Sequence, residues 1–257
     1  FLHGMTSLPD GRVLISGGFD SAARGTCPDG ADPSAICYSL PASNEAFIFD
    51  PATGDKVMIS NVPEVHYKGQ GGLLDVLVHP DFEDNRWIYL SASVEVGDDA
   101  FTTRVQRFTL DGDRLKDAET IFKAEPAFSG SIHFGSAMLF DNDGSLFIPL
   151  GDRRRRQLAQ DLSVSMGKVM RLHDDGSIPD DNPFVDTPDA RPEIYTYGHR
   201  NPQGITIDRA TGRIWSVEHG PKGGDELNII EPGTNYGWPE ITYGVNYDGT
   251  IITTDKS

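Results

Sequence analysis

One short pattern returns four times along this chain, and its return restricts the fold more than any other feature. Each copy is a turn rich in Asp, Asn, Gly or Pro, followed by a brief run of β-branched and aromatic residues. Leu8-Pro9-Asp10-Gly11 leads into Arg12-Val13-Leu14-Ile15-Ser16, and His79-Pro80-Asp81, with Asn85, leads into Arg86-Trp87-Ile88-Tyr89-Leu90. Asn142-Asp143-Gly144 leads into Ser145-Leu146-Phe147-Ile148-Pro149, and Ala210-Thr211-Gly212 into Arg213-Ile214-Trp215-Ser216-Val217. Apolar residues such as 73–78 or 205–207 precede the turn, so each copy predicts a β-hairpin. A second turn follows every time, first as Phe49-Asp50-Pro51-Ala52-Thr53-Gly54, then at 108–113, 171–176 and 229–233. Two hairpins per unit, repeating at roughly 60–75 residues, predict an all-β fold: a β-propeller of four-stranded antiparallel blades, about four of them in this chain. A β-sandwich also alternates strands and turns, but does not require the same unit to return. Helical periodicity is weak, with one short candidate at 161–172.

Charge narrows the partners. The chain has 257 residues, 39 acidic and 22 basic, for a formal charge of −17. A field of that sign repels phosphate backbones and excludes nucleic acid as a partner of the chain as a whole. No apolar run approaches the roughly 18 residues that would suggest a membrane helix, so no span is expected. Cys27 and Cys37 flank a short loop and read equally as a disulfide of an oxidising compartment or as two free thiols. The opening Phe1-Leu2-His3-Gly4-Met5 carries no signal-peptide pattern, and the stop at Ser257, soon after the fourth unit, makes a fragment the expectation.

The densest polar run is Tyr197-Gly198-His199-Arg200-Asn201-Pro202-Gln203-Gly204, followed by Glu218-His219-Gly220-Pro221, Gly223-Gly224-Asp225-Glu226 and Asn235-Tyr236-Gly237-Trp238-Pro239. Arg200, Asn201 and Gln203 offer planar hydrogen-bonding groups suited to a flat, carboxylate-bearing ligand. Main-chain oxygens around Gly220-Pro221, with Glu226 and Tyr236, suit a hard cation that takes six to eight oxygens.

With Gly69-Gln70-Gly71-Gly72, His133-Phe134-Gly135-Ser136, Leu150-Gly151-Asp152-Arg153 and Gly167-Lys168-Val169, these runs resemble the quinone-dependent aldose sugar dehydrogenases, the glucose/sorbosone dehydrogenase family. The resemblance extends from about Val62 to Gly249. It implies a six-bladed propeller of which this chain covers about four blades. Two cofactors are implied, pyrroloquinoline quinone (PQQ) and Ca2+, along with an aldose substrate, an external electron acceptor and a periplasmic or secreted location. By motif, His133 would be the base that takes the anomeric proton as the C1 hydride passes to the quinone, giving the lactone. Asp152 would orient the imidazole; Gln70, Arg200, Asn201, Gln203 and Tyr247 would hold the quinone. Gly220 and Pro221 would bind its calcium, and Glu226 and Tyr236 a second, structural one. Ala137 and Ile132 depart from the family's usual arginine and asparagine.

The whole of 1–257 reads as a single propeller domain. Residues 1–60 form a kelch-like first blade with an insertion, and 61–257 the dehydrogenase-like blades. His3, His66, His173 and His199 read as structural or exposed, His79 as a turn-fixing hydrogen bonder, and Trp215 and Trp238 as blade packing. Arg153-Arg154-Arg155-Arg156 faces either the cofactor's carboxylates or solvent. Two alternatives accompany the dehydrogenase: a degenerate calcium-binding propeller that holds a sugar or a protein, and a calcium-dependent lactonase.

Overall fold

The computed structural model describes residues 4–16 and 46–256; the Cys27–Cys37 loop and His3 lie outside them. The first sheet runs β1 (Gly4–Ser7), β2 (Val13–Ser16), β3 (Ala46–Phe49), β4 (Lys56–Met58). The second contains β5 (Leu73–Val78), β6 (Trp87–Glu95), β7 (Phe101–Asp111) and β8 (Arg114–Lys123). The third contains β9 (Leu139–Phe140), β10 (Leu146–Leu150), β11 (Lys168–Leu172) and β12 (Ile194–Tyr197). The fourth contains β13 (Pro202–Asp208), β14 (Arg213–Glu218) and β15 (Glu226–Ile230). Neighbouring strands pair antiparallel in chain order, making four successive blades of a β-propeller.

The recurring turn works by one device. Its first polar side chain accepts backbone N–H groups from the turn it opens, which closes the hairpin locally. Asp10 accepts from Arg12, Asp141 from Asp143 and Ser145, and Asp208 from Ala210. In the second blade His79 does the same through Nδ1, to the Asp81 N–H at 3.0 Å, as its place in the turn predicted.

Apolar clusters glue each blade to the next. Leu8, Leu14, Ala46, Ile48 and Ile59 pack with Leu73, Val76, Ile88 and Leu90, so residues before and after position 60 share one core. Tyr89 and Val105 pack with Phe140, Leu146, Ile148 and Met170, and Phe147 and Val169 with Ile214 and Ile230.

Two expectations need correction. The fourth sheet has three strands among the described residues: after β15 the chain turns back at Pro232 and runs as a loop bridged at Tyr197–Asn235 and Lys222–Val245. Residues 161–172 form no helix. Asp161 closes a local turn on Ser163, Gly167 takes φ +68°, and Lys168–Leu172 pairs with β10 as β11.

Alternation sorts the connections onto two edges. The recurring turns lie on one edge. On the other lie the segments before β5, between β6 and β7, between β8 and β9, between β10 and β11, between β12 and β13, and between β14 and β15. Every residue singled out for chemistry except Gln203, one residue inside β13, and Tyr236 and Tyr247 belongs to, or directly flanks, one of these second-edge connections.

Candidate active site

His133 stands in the segment between β8 and β9 with φ +56°, a left-handed backbone that a residue with a Cβ rarely adopts. Its surroundings hold it there. The His133 N–H donates to Gln70 Oε1 at 2.8 Å, and the Ser136 N–H to Pro149 O at 2.6 Å. Buried hydroxyls of β6 and β7 support the same loop: Ser91 donates to Ser136 O at 2.7 Å, and Thr103 lies 3.0 Å from the Ser136 hydroxyl.

The imidazole meets Asp152, nineteen positions downstream at the end of β10, at 2.7 Å between Nδ1 and Oδ1. Asp152 is 1% exposed, and its carboxylate also accepts the Arg154 N–H at 2.7 Å and the Trp238 indole N–H at 2.9 Å. An ionised carboxylate only accepts, so His133 must donate from Nδ1, and Nε2 is left with the lone pair. Nε2 has no hydrogen-bond partner among the described residues. A buried carboxylate orienting a neutral imidazole whose other nitrogen is free is the arrangement of a general base.

The loop between β12 and β13 closes onto the same place. Asp152 N–H donates to Arg200 O at 2.7 Å. The Arg200 guanidinium donates from Nη1 to His219 O at 2.7 Å and lies 5.5 Å from the Trp238 ring centre. Asn201 is buried, its Oδ1 accepting from Gln203 Nε2 at 2.9 Å. Gly151 sits where the two loops touch: a Cβ there would lie 2.3 Å from His133 O and 2.9 Å from Asn201 Oδ1.

Gly220 and Pro221 open the segment between β14 and β15. The Gly220 N–H donates to Asp225 at 2.9 Å and Pro221 O accepts from Gly224, while Gly220 O has no protein donor among the described residues. Tyr247 is 74% exposed, beside Asn246, which accepts from Arg156 at 3.3 Å. Glu226 and Tyr236 are not joined through their side chains. Glu226 begins β15 opposite Glu218, whereas the Tyr236 hydroxyl lies at the far end, donating to Ile229 O and accepting from the Glu231 N–H. A cation shared by the two would have to take Tyr236 through its main-chain oxygen. Burial, with the neighbouring Glu218 charge, holds the Glu226 carboxyl above the usual range. Among the described residues no three His, Cys, Asp or Glu side chains converge as a metal cage.

Three residues escaped sequence reasoning: Trp238, Glu218 and Arg153. Trp238, read as packing, is a donor to Asp152. His199 is structural, the first of the two readings given it: it is wholly buried between Glu218 (Nδ1, 2.9 Å) and Thr196 (Nε2, 2.9 Å), and Tyr236 stacks on it at 4.6 Å. Glu218 also accepts the Arg200 N–H, so this second histidine–carboxylate pair backs the Arg200 turn. Arg153 faces neither cofactor nor solvent, because its guanidinium is engaged by main-chain oxygens. Their partners lie far away in sequence, and only the glycine-rich spacing around them gave any hint.

Residues 45–257 match the family model described as Glucose / Sorbosone dehydrogenase. Aldose sugar dehydrogenase YliI of Escherichia coli is 48% identical over 201 residues, which is 77% of this chain and 54% of that protein; the chain thus spans about half of that relative's length. Among solved structures, the soluble aldose sugar dehydrogenase of E. coli in its apo-form superposes with a TM-score of 0.82 at 41% identity, over 96% of this chain and 65% of that one. The PQQ-bound aldose sugar dehydrogenase of Streptomyces coelicolor gives 0.75 at 30% identity, over 96% and 65%. Propeller, paired His133 and Asp152, and a family match over most of the sequence agree: this chain belongs to the glucose/sorbosone dehydrogenase family.

Proposed function

We propose that this chain carries the reactive rim of an aldose dehydrogenase that oxidises the sugar at C1 to the lactone, uses PQQ and Ca2+, and works in the periplasm or outside the cell. One observation carries the reading: the His133–Asp152 pair and the Arg200–Asn201 turn meet on one edge of the blades, with Asp152 bonded to both.

The donor set fits the quinone. Arg200 keeps most of its fork unspent, Asn201 and Gln70 have amide N–H groups with no acceptor among the described residues, and Tyr247 is exposed next to Asn246, which meets Arg156. Together they suit a flat ligand rich in carboxylate and carbonyl oxygens. Gly220 O, without a donor among the described residues, and the adjacent Pro221 O offer hard oxygens to a calcium ion, and Glu226 with the main chain of Tyr236 to a second. When bound, the calcium-polarised quinone supplies a two-electron acceptor for the hydride that leaves C1.

The chain itself handles the proton. His133 Nε2 takes it from the anomeric hydroxyl, and the Asp152 carboxylate at 2.7 Å stabilises the imidazolium that results. Trp238 and the Arg154 N–H hold the Asp152 carboxylate in place. Burial of His133 to 8% exposure limits bulk water at the ring. A quinone held here would also supply the route by which those electrons reach an external acceptor.

Supplying the apo-protein with PQQ and Ca2+ and following dye reduction by aldoses tests this. Turnover should require both additions and fall about 10²–10⁴-fold in His133→Ala. Quinone binding without sugar-dependent reduction would instead identify a degenerate binding propeller, and lactone hydrolysis without quinone a lactonase.

A further inference from the structure

Arg153 is 7% exposed, yet no carboxylate ion-pairs with it among the described residues. Its guanidinium donates to three main-chain oxygens instead: Nε to Ile132 at 3.0 Å, Nη1 to Phe101 at 3.0 Å, and Nη2 to Gly130. Its flat face lies 3.7 Å from the Phe134 ring centre. The contacts therefore fall on residues 130, 132 and 134, immediately around His133.

The loop they grip is unusual. His133 and Ser136 both have positive φ (+56° and +83°), and such backbone persists only where its surroundings over-determine it. Phe101 belongs to β7, and His66 stacks on it at 3.5 Å, so the guanidinium anchors the loop to the second blade. Asp152, one residue earlier, anchors the imidazole to the third. One dipeptide thus fixes the ring with one side chain and the backbone beneath it with the next. With three donor directions and one face engaged below the surface, Arg153 is not the member of its basic run that meets a bound anion; Arg154, Arg155 and Arg156 are the exposed ones.

We propose that Arg153 is a positioning residue for His133: its planar fork locks the 130–134 backbone so that the imidazole stays seated on Asp152 with Nε2 presented to substrate. The proposal rests on reading His133 as the base. A lysine cannot replace the fork, because one ammonium is a point donor on a flexible stem without a planar face to stack.

The test is Arg153→Lys, with Arg209→Lys, an exposed arginine on the opposite edge, as control, read first in the apo-protein by the 15N NMR signal of the hydrogen-bonded His133 Nδ1–H. Arg153→Lys should broaden or abolish that signal, whereas Arg209→Lys should leave it intact. In the loaded enzyme kcat should fall about 10–100-fold with KM for the aldose within about twofold, since a misplacement near 1 Å costs about that much. Guanidinium ion added to Arg153→Ala should restore part of both readouts. A folded Arg153→Lys protein with the parent's His133 signal and kcat overturns the proposal. Should the variants not fold, the parent decides: the Arg153 Nε–H must exchange slowly with solvent, and fast exchange overturns the proposal equally. The NMR arm needs neither quinone nor sugar. Retained dehydrogenase activity in His133→Ala would sink the functional reading while leaving the Arg153 contact to be judged on its own signal.

Discussion

Asp152 shows how much of a site can hang on single side chains that the sequence keeps apart. Its carboxylate collects His133 from nineteen positions upstream, the Arg154 N–H from two downstream and Trp238 from eighty-six downstream. A hydrogen bond to a charged acceptor contributes about 1.5–3 kcal/mol. In Trp238→Phe the ring volume is largely kept and one N–H is lost, so kcat should fall roughly tenfold while the melting temperature moves by only a few degrees. Steady-state turnover beside a thermal melt checks this; an unchanged kcat would remove Trp238 from the mechanism. The pairing of His133 with Asp152 was legible only through motif resemblance, since nothing local to either residue names its partner. Trp238 was misread for the same reason, and nothing near His199 showed which carboxylate would bury it as a structural residue: Asp152 and Glu218 arrive through blade packing and strand register. The basic run at 153–156 was misjudged at its first member because buried main-chain oxygens leave no trace in a sequence.

At the scale of elements, the turn that opens each unit was the most legible feature, because its chemistry is local: Asp10, His79, Asp141 and Asp208 each bind a backbone N–H within four residues. The rim segments are the reverse, held by contacts between blades. Gly151, leaving β10, shows the constraint. A Cβ would lie 2.3 Å from His133 O and 2.7 Å from its carbonyl carbon, both backbone atoms that cannot swing aside. Gly151→Ala should therefore destabilise the protein by about 1–3 kcal/mol and displace His133 as well. Urea unfolding with a turnover assay checks it, and a stable, fully active variant would show that the two segments are looser than described. The candidate helix at 161–172 failed at this scale too, since pairing of Lys168–Leu172 with β10 outweighed a weak local preference.

For the molecule as a whole, the fold class followed from repetition, while its acidity conceals a carboxyl that burial moves far from its ordinary range. Asp75, on β5, accepts N–H groups from Met138 and Val76, and burial pushes it up to about 7 against those two bonds. The native state therefore keeps a proton that the unfolded chain releases from about pH 4 upward. That contribution to stability is complete below pH 4, shrinks as pH rises towards 7 and is level above it. Urea midpoints measured from pH 5 to 8 should fall more steeply for the parent than for Asp75→Asn; parallel curves would show that the group titrates normally. The two edges of the blades also divide labour in a way that has a practical side. Asn142, Asp143, Ala210 and Thr211 are exposed on the edge opposite His133. A cysteine introduced at Asp143 or Ala210 would let the protein be tethered to an electrode or bead by that edge, with the His133 edge turned to the solution.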